Sequence, residues 1–180
     1  MNVVETGLPG ALILEPRTFT DHRGSFREVF HAERYAAAGL PRFVQDNAAR
    51  SRRDVLRGLH YQWPRPQGKL VFVVDGAVLD VGVDLRAASP TFRRWVAVEL
   101  SEDNGRQLYL PEGFAHGYLV LSDSAVVVYK CTEVYLPEHD RALRWDDPEL
   151  AIEWPTTTPI LSEKDRSAPT LAQLPDDARP

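Results

Sequence analysis

Between residues 43 and 135 the apolar positions fall in short runs rich in β-branched and aromatic residues: FVQDNAARS, RGLHYQW, KLVFVVDG, AVLDVGVD, WVAVELS, RQLYLP, GYLVLS and AVVVYKCTEVY. Runs of this length and alternation predict antiparallel strands. Between them lie WPRPQG, Asp75-Gly76, Ala88-Ser89-Pro90, Asn104-Gly105 and Pro111-Glu112-Gly113, which are turn sequences. The Asp-Gly and Asn-Gly pairs are the strongest hairpin signals among them. One short helix is expected over residues 31–38, closed by Gly39 and Pro41. Eight or more short strands with so little helix predict a mainly all-β fold, a barrel or double-sheet jelly roll, which at that size encloses one small ligand. With no internal repeat and no linker, the 180 residues read as one domain. Its end, SAPTLAQLPDDARP, is polar and Pro-rich, and a loosely ordered tail is expected from about residue 172.

Composition narrows the function classes. Lys and Arg number 21 against 26 Asp and Glu, a net charge of −5 without a basic block, so the chain offers no general footprint for nucleic acid or an anionic membrane. No apolar run approaches about 18 residues, and the start MNVVETGLPG has neither the basic nor the apolar region of a signal peptide. Cys131 is the only cysteine, which rules out an internal disulfide and makes the cytoplasm the expected location.

Several polar residues stand inside these runs. His60 shares its strand face with Gly58 and Gln62, and His116 follows the turn in PEGFAHGY. Lys69 opens the apolar run KLVFVV in a chain with three lysines and eighteen arginines. It reads either as a strand-edge gatekeeper or as a cation beside a developing oxyanion. Tyr129 shares a face with Val127 and Cys131 and reads as core or as a general acid. Asp165 alone would be an exposed loop carboxylate. Arg23 and Arg57 are surface ion pairs or phosphate ligands. Arg57 lies on the opposite face from His60 unless the strand bulges, which Gly58 permits.

The two histidine segments resemble the paired signatures of a cupin, in which histidines and a carboxylate surround a metal. Here Gln62 occupies the place of the second histidine and Gln67 falls near that of the carboxylate. Two imidazoles and two neutral amides make a poor divalent-metal site, so no metal is expected. An alternative metal-dependent oxygenase or isomerase would need a metal at His60 and His116. A non-catalytic sugar-binding barrel, the other alternative, gives no reason for base, acid, lysine and carboxylate to remain together.

The ordered set FTDHRGSFRE, FVQDNAARS, VLRGLHYQ, QGKLV, SPTFRRW, RQLYLPEGFAHGY, VYKCTEVYLPEH, RWDDPEL, IEWP and LSEKD closely resembles the dTDP-4-dehydrorhamnose 3,5-epimerase family. The resemblance implies a cupin-like jelly-roll barrel, a homodimer, no cofactor, and epimerisation of a 4-keto-6-deoxy sugar carried on dTDP. It implies that His60 is the base, Asp165 its orienting partner, Lys69 the group facing the C-4 oxygen and Tyr129 the acid. His116 is carried over as a pocket residue near the sugar. Arg23, Glu28, Gln45, Asn47, Arg57, Asp140 and Lys164 are carried over as sugar and nucleotide contacts. Phe19, Arg23 and Glu28 are expected to serve the neighbouring subunit's pocket. The chain departs from the commoner pattern at Ala48, Ala49, Phe72 and Val134, positions expected to reshape the pocket. Double inversion at C-3 and C-5 and single inversion in another deoxysugar pathway both remain open on this reading.

Overall fold

A computed structural model describes all 180 residues. In chain order the elements are β1 (Asn2–Glu5), β2 (Leu12–Glu15), β3 (Thr18–Asp21), β4 (Gly24–Arg27), α1 (Ala32–Ala37), β5 (Gln45–Arg52), β6 (Leu56–Gln62), β7 (Lys69–Asp75) and β8 (Ala77–Asp84). There follow β9 (Trp95–Ser101), β10 (Gln107–Leu110), β11 (Phe114–Val120), β12 (Ser124–Cys131), β13 (Asp140–Ala142) and α2 (Glu163–Arg166). The strands form a six-stranded sheet ordered β1-β2-β10-β7-β12-β5 and a five-stranded sheet ordered β13-β6-β11-β8-β9, with β3 and β4 pairing apart as a hairpin. All pairings within these sheets are antiparallel.

Alternation along the strands decides which side chains face the barrel interior. Val71 and Val73 of β7, Val78 of β8, Leu100 of β9, Phe114 and Tyr118 of β11 and Val127 of β12 meet in one cluster between the two sheets. Their odd-even partners point outward: Leu70 packs against Leu14, Tyr35, Leu40 and Tyr109, while Leu59, Val81, Val83 and Ala115 pack under Leu143, Leu150, Leu171 and Leu174. Each fully buried aliphatic side chain contributes roughly 1.5–3 kcal/mol, so three such layers hold the barrel wall from both faces.

The eight runs read as strands all lie on strands, and the short helix forms with His31 as its N-cap and Gly39 at φ +86° just beyond its end. Three expectations are corrected. Asp75-Gly76 and Asn104-Gly105 are not hairpin turns: β7 and β8 lie in different sheets, as do β9 and β10, so both dipeptides turn corners between sheets. The last strand-like run stops at Cys131, and residues 132–136 are irregular. The tail expected to be loose from about residue 172 is docked. Leu171, Leu174 and Ala178 are buried, the Tyr61 hydroxyl donates to the Ala178 carbonyl at 2.8 Å, and the Ala87 amide donates to that of Pro180 at 3.2 Å. No helix is long and apolar enough to cross a membrane.

Candidate active site

The site begins with a bulge. His60 is opposite His116 in the β6–β11 register, but Arg57 is opposite Tyr118, so three steps on β6 match two on β11. The extra residue falls beside Gly58, at φ +127°. A Cβ there would stand 2.5 Å from Gly117 Cα and 2.7 Å from the His116 carbonyl oxygen, so the position requires glycine. This resets the alternation between Arg57 and His60. His60 and Gln62 then line a cleft of about 330 Å³ with Tyr61, Lys69, Tyr129 and Cys131.

His60 Nε2 lies 2.5 Å from Asp165 Oδ1. The imidazole is about one-third exposed and the carboxylate 3% exposed, so the pair offers one open and one sealed end. Asp165 is therefore no exposed loop carboxylate. Its place follows from α2, whose N-cap Ser162 accepts the Asp165 amide hydrogen at 3.1 Å. Burial works to raise the Asp165 pKa, yet bonds from His60, Ser162 and the Gly58 amide together hold it below the usual carboxylate range. A carboxylate that stays ionised can orient the imidazole and stabilise an imidazolium.

Lys69 stands on β7, between β10 and β12, so the gatekeeper reading does not apply to an interior strand. Its ammonium donates to the His60 carbonyl at 3.2 Å. Burial lowers its pKa, opposed by the nearby Cys131, Asp140 and Asp80. A desolvated ammonium opening on the cleft has the charge to stabilise an oxyanion, were one to develop there. Tyr129 points into the same cleft, its pKa raised by burial first and then by Cys131 and Tyr118, against Arg57. Its hydroxyl keeps its proton at neutral pH and is available as a donor.

Gln45 and Asn47, on the inward face of β5, line the cleft and are joined by a 3.1 Å hydrogen bond. Asp140 and Lys164 line it too and form an ion pair with each other. Arg57 is exposed, bonded to Ser51 Oγ at 3.0 Å, and does not line the cleft. His116 is likewise not a lining residue. It is 6% exposed, its ring centroid is 6.4 Å from that of Tyr129, and its Nε2 is 2.7 Å from Asp80 Oδ1. Asp80 is fully buried, its Oδ2 has no hydrogen-bond partner, and burial raises its pKa against the pull of His116. Phe19, Arg23 and Glu28 stand apart from the cleft. Arg23 bonds Asp21 on the β3–β4 hairpin, and Glu28 pairs with Arg34 at 2.7 Å.

Of the four departures from the commoner family pattern, Ala48 and Phe72 fall on the outward faces of their strands, in register with Val128 and so away from the cleft. Gln62, Gln67 and Tyr135 line the cleft without having been singled out as site residues, and Asp80 lies buried behind it as the partner of His116. Asp80 had a signal: a carboxylate amid the apolar alternation AVLDVGVD must be buried, and a buried carboxylate needs a partner. No three His, Cys, Asp or Glu side chains come together as a metal site. Gln62 and Gln67 donate to backbone carbonyls, so the places that resemble cupin ligands are engaged otherwise.

The sequence model of the dTDP-4-dehydrorhamnose 3,5-epimerase family matches residues 5–173. A dTDP-4-dehydrorhamnose 3,5-epimerase of Methanothermobacter thermautotrophicus is 51% identical over 176 residues, covering 96% of this chain and 95% of the relative. Among solved structures, the dTDP-6-deoxy-D-glucose-3,5-epimerase of Legionella pneumophila in complex with dTDP-4-keto-L-rhamnose superposes with a TM-score of 0.96 at 48% identity, covering 99% of this chain and 97% of that one. ChmJ, a 3′-monoepimerase from Streptomyces bikiniensis in complex with dTDP-quinovose, superposes with a TM-score of 0.86 at 40% identity, covering 92% and 86%.

Proposed function

The chain belongs to the dTDP-4-dehydrorhamnose 3,5-epimerase family, and from that membership we propose that it inverts C-3 and C-5 of dTDP-4-keto-6-deoxyglucose to give dTDP-4-dehydro-L-rhamnose. The observation that carries this reading is the His60–Asp165 pair opening on the same cleft as Lys69 and Tyr129. A ketone at C-4 acidifies the hydrogens at C-3 and C-5. Neutral His60 takes one of these protons, the electron pair moves to the C-4 oxygen as an enolate, and Asp165 stabilises the imidazolium so formed. The Lys69 ammonium stabilises the enolate oxygen. Tyr129 then delivers a proton to the other face of the carbon, the ketone re-forms, and the centre is inverted. Proton return from His60 to Tyr129 through solvent resets the site for the second carbon.

Gln45, Asn47, Asp140 and Lys164 suit the nucleotide and sugar polar groups, with Lys164 as a cation for the diphosphate. His116, held by Asp80, acts on the sugar end of the site as an electrostatic helper through its neighbour Tyr129. A second reading, inversion of a single carbon in another deoxysugar pathway, is favoured by the likeness to the 3′-monoepimerase. A cytoplasmic setting belongs to the same proposal, since the only cysteine is buried and unpaired.

A homodimer is also part of it. The β3–β4 hairpin leaves Phe19 49% and Phe26 67% exposed, and an isolated two-stranded ribbon is marginal in water. A second copy would cover that apolar surface and receive Phe19, Arg23 and Glu28 into its cleft. Sedimentation should give twice the chain mass, and Phe26→Asp should shift it toward the monomer with loss of activity. A fully active monomer would overturn this part.

The chemistry is redox-neutral, and Lys69 supplies the positive charge that a metal would otherwise give. Conversion of dTDP-4-keto-6-deoxyglucose should therefore survive exhaustive chelation and need no added nicotinamide. Activity lost to the chelator and restored by one metal would contradict the reading.

A further inference from the structure

Gln62 and Gln67 take no part in these proton transfers, yet both are buried, 3% and 9% exposed, and both line the cleft. Their amides meet one stretch of chain. After β12 the backbone runs irregularly through residues 133–136 along the cleft and then enters the 3₁₀ turn Pro137–His139. Backbone without a ladder must find its partners elsewhere. Here four successive residues find them in glutamine side chains. Gln67 Nε2 donates to the Glu133 carbonyl at 2.8 Å, and Gln62 Nε2 to that of Val134 at 3.2 Å. The Tyr135 amide donates to Gln45 Oε1 at 2.7 Å, and the Leu136 amide to Gln62 Oε1 at 2.9 Å. Gln62 Nε2 also reaches the Arg65 carbonyl at 2.7 Å, tying the β6–β7 loop to the same stretch.

Gln62 thus uses both its amide hydrogens and its oxygen, and only a primary amide of this length presents two donors and an acceptor together. The stretch it holds carries Tyr135, which lines the cleft at 52% exposure and whose hydroxyl donates to Asp140 Oδ2 at 3.1 Å, the oxygen that also pairs with Lys164. The backbone of residues 133–136 therefore sets where Tyr135 stands beside Asp140 and Lys164.

We propose that Gln62 and Gln67 are positioning residues for substrate binding, which fix the wall formed by residues 133–136 and through it the placing of Tyr135 against the nucleotide sugar. The proposal rests on the epimerase reading of the cleft. Because the wall holds neither base, acid nor oxyanion stabiliser, its release affects binding and leaves proton transfer intact. A purely structural role for the two amides predicts lower stability with unchanged affinity.

The test uses Gln62→Met and Gln67→Met, which keep much of the length and lose the hydrogen bonds. On protein shown to be folded, dTDP affinity is measured by calorimetry, and KM and kcat are measured with the 4-keto sugar nucleotide. For Gln62→Met the Kd and KM should each rise about tenfold or more, with kcat within about threefold of wild type. Gln67→Met, which removes a single bond, should shift Kd and KM in the same direction by less, and it carries the test if the Gln62 variant fails to fold. Unchanged Kd in folded variants of lowered Tm, or a fall in kcat at constant KM, would overturn the proposal. A wild-type protein that fails to bind dTDP would overturn the nucleotide-sugar reading itself, whereas a wild type that binds while both variants bind equally well overturns this inference alone.

Discussion

His60→Asn should abolish hydrogen exchange between substrate and solvent at whichever carbons the enzyme labels, and His60→Ala should do the same. The imidazole is the one group that opens on the cleft while backed by a buried carboxylate, at 2.5 Å. The nearest other histidine, His116, is 6% exposed and bonded to Asp80, so no second base stands ready to replace it. Removal of a general base costs about two to four powers of ten in rate. Asp165→Asn should also slow exchange, because the amide holds the ring in place without a charge to offset the imidazolium. Exchange at the wild-type rate in either His60 variant, followed by proton NMR in deuterated buffer, would remove His60 from its role.

Tyr129→Phe should separate exchange from inversion. If the tyrosine only delivers the proton on the far face, the variant still allows His60 to remove a proton and return a solvent-derived one to the face it came from. Label uptake then continues while inverted product falls by orders of magnitude. A tyrosine that served only the core would behave differently. Phenylalanine fills nearly the same volume, and a hydroxyl lost from a half-buried site would change stability by about 1 kcal/mol and leave inversion intact. The ratio of label uptake to inversion, compared with wild type in folded protein, separates the two. An unchanged ratio with normal turnover would exclude Tyr129 as the acid.

The strands of the barrel were legible because each carries its own period-2 signal, as in KLVFVVDG and AVLDVGVD. Their pairing was not. Asp75-Gly76 has the local chemistry of a hairpin turn, but whether a turn joins neighbours in one sheet or bends between two is decided by distant partners, here β12 and β10 for β7 and β9 and β11 for β8. The strands β1, β3 and β4 escaped notice because their residues are almost wholly exposed and show no buried alternation. The docking of the tail left no period to read: the buried Leu171, Leu174 and Ala178 are scattered over two short 3₁₀ turns joined by extended backbone, in a segment of polar composition.

The site divides in the same way. Gly58 marked where β6 can bulge and so turn His60 into the cleft, because a glycine inside a strand often marks a bulge or a close backbone approach. Asp165 was beyond residue-by-residue reading: it lies 105 positions from His60, and only the family resemblance joined them. The glutamine contacts to residues 133–136 were equally hidden, since side-chain bonds to irregular backbone leave no period in the sequence.

The most direct test of the account is turnover of dTDP-4-keto-6-deoxyglucose by the wild-type protein in deuterated water, with the label located in the product. Enolate formation at both carbons predicts deuterium at C-3 and at C-5, each centre inverted. Label and inversion at one carbon alone would contradict the double epimerase and support the single-inversion reading, and inverted product without solvent label would contradict the enolate mechanism altogether.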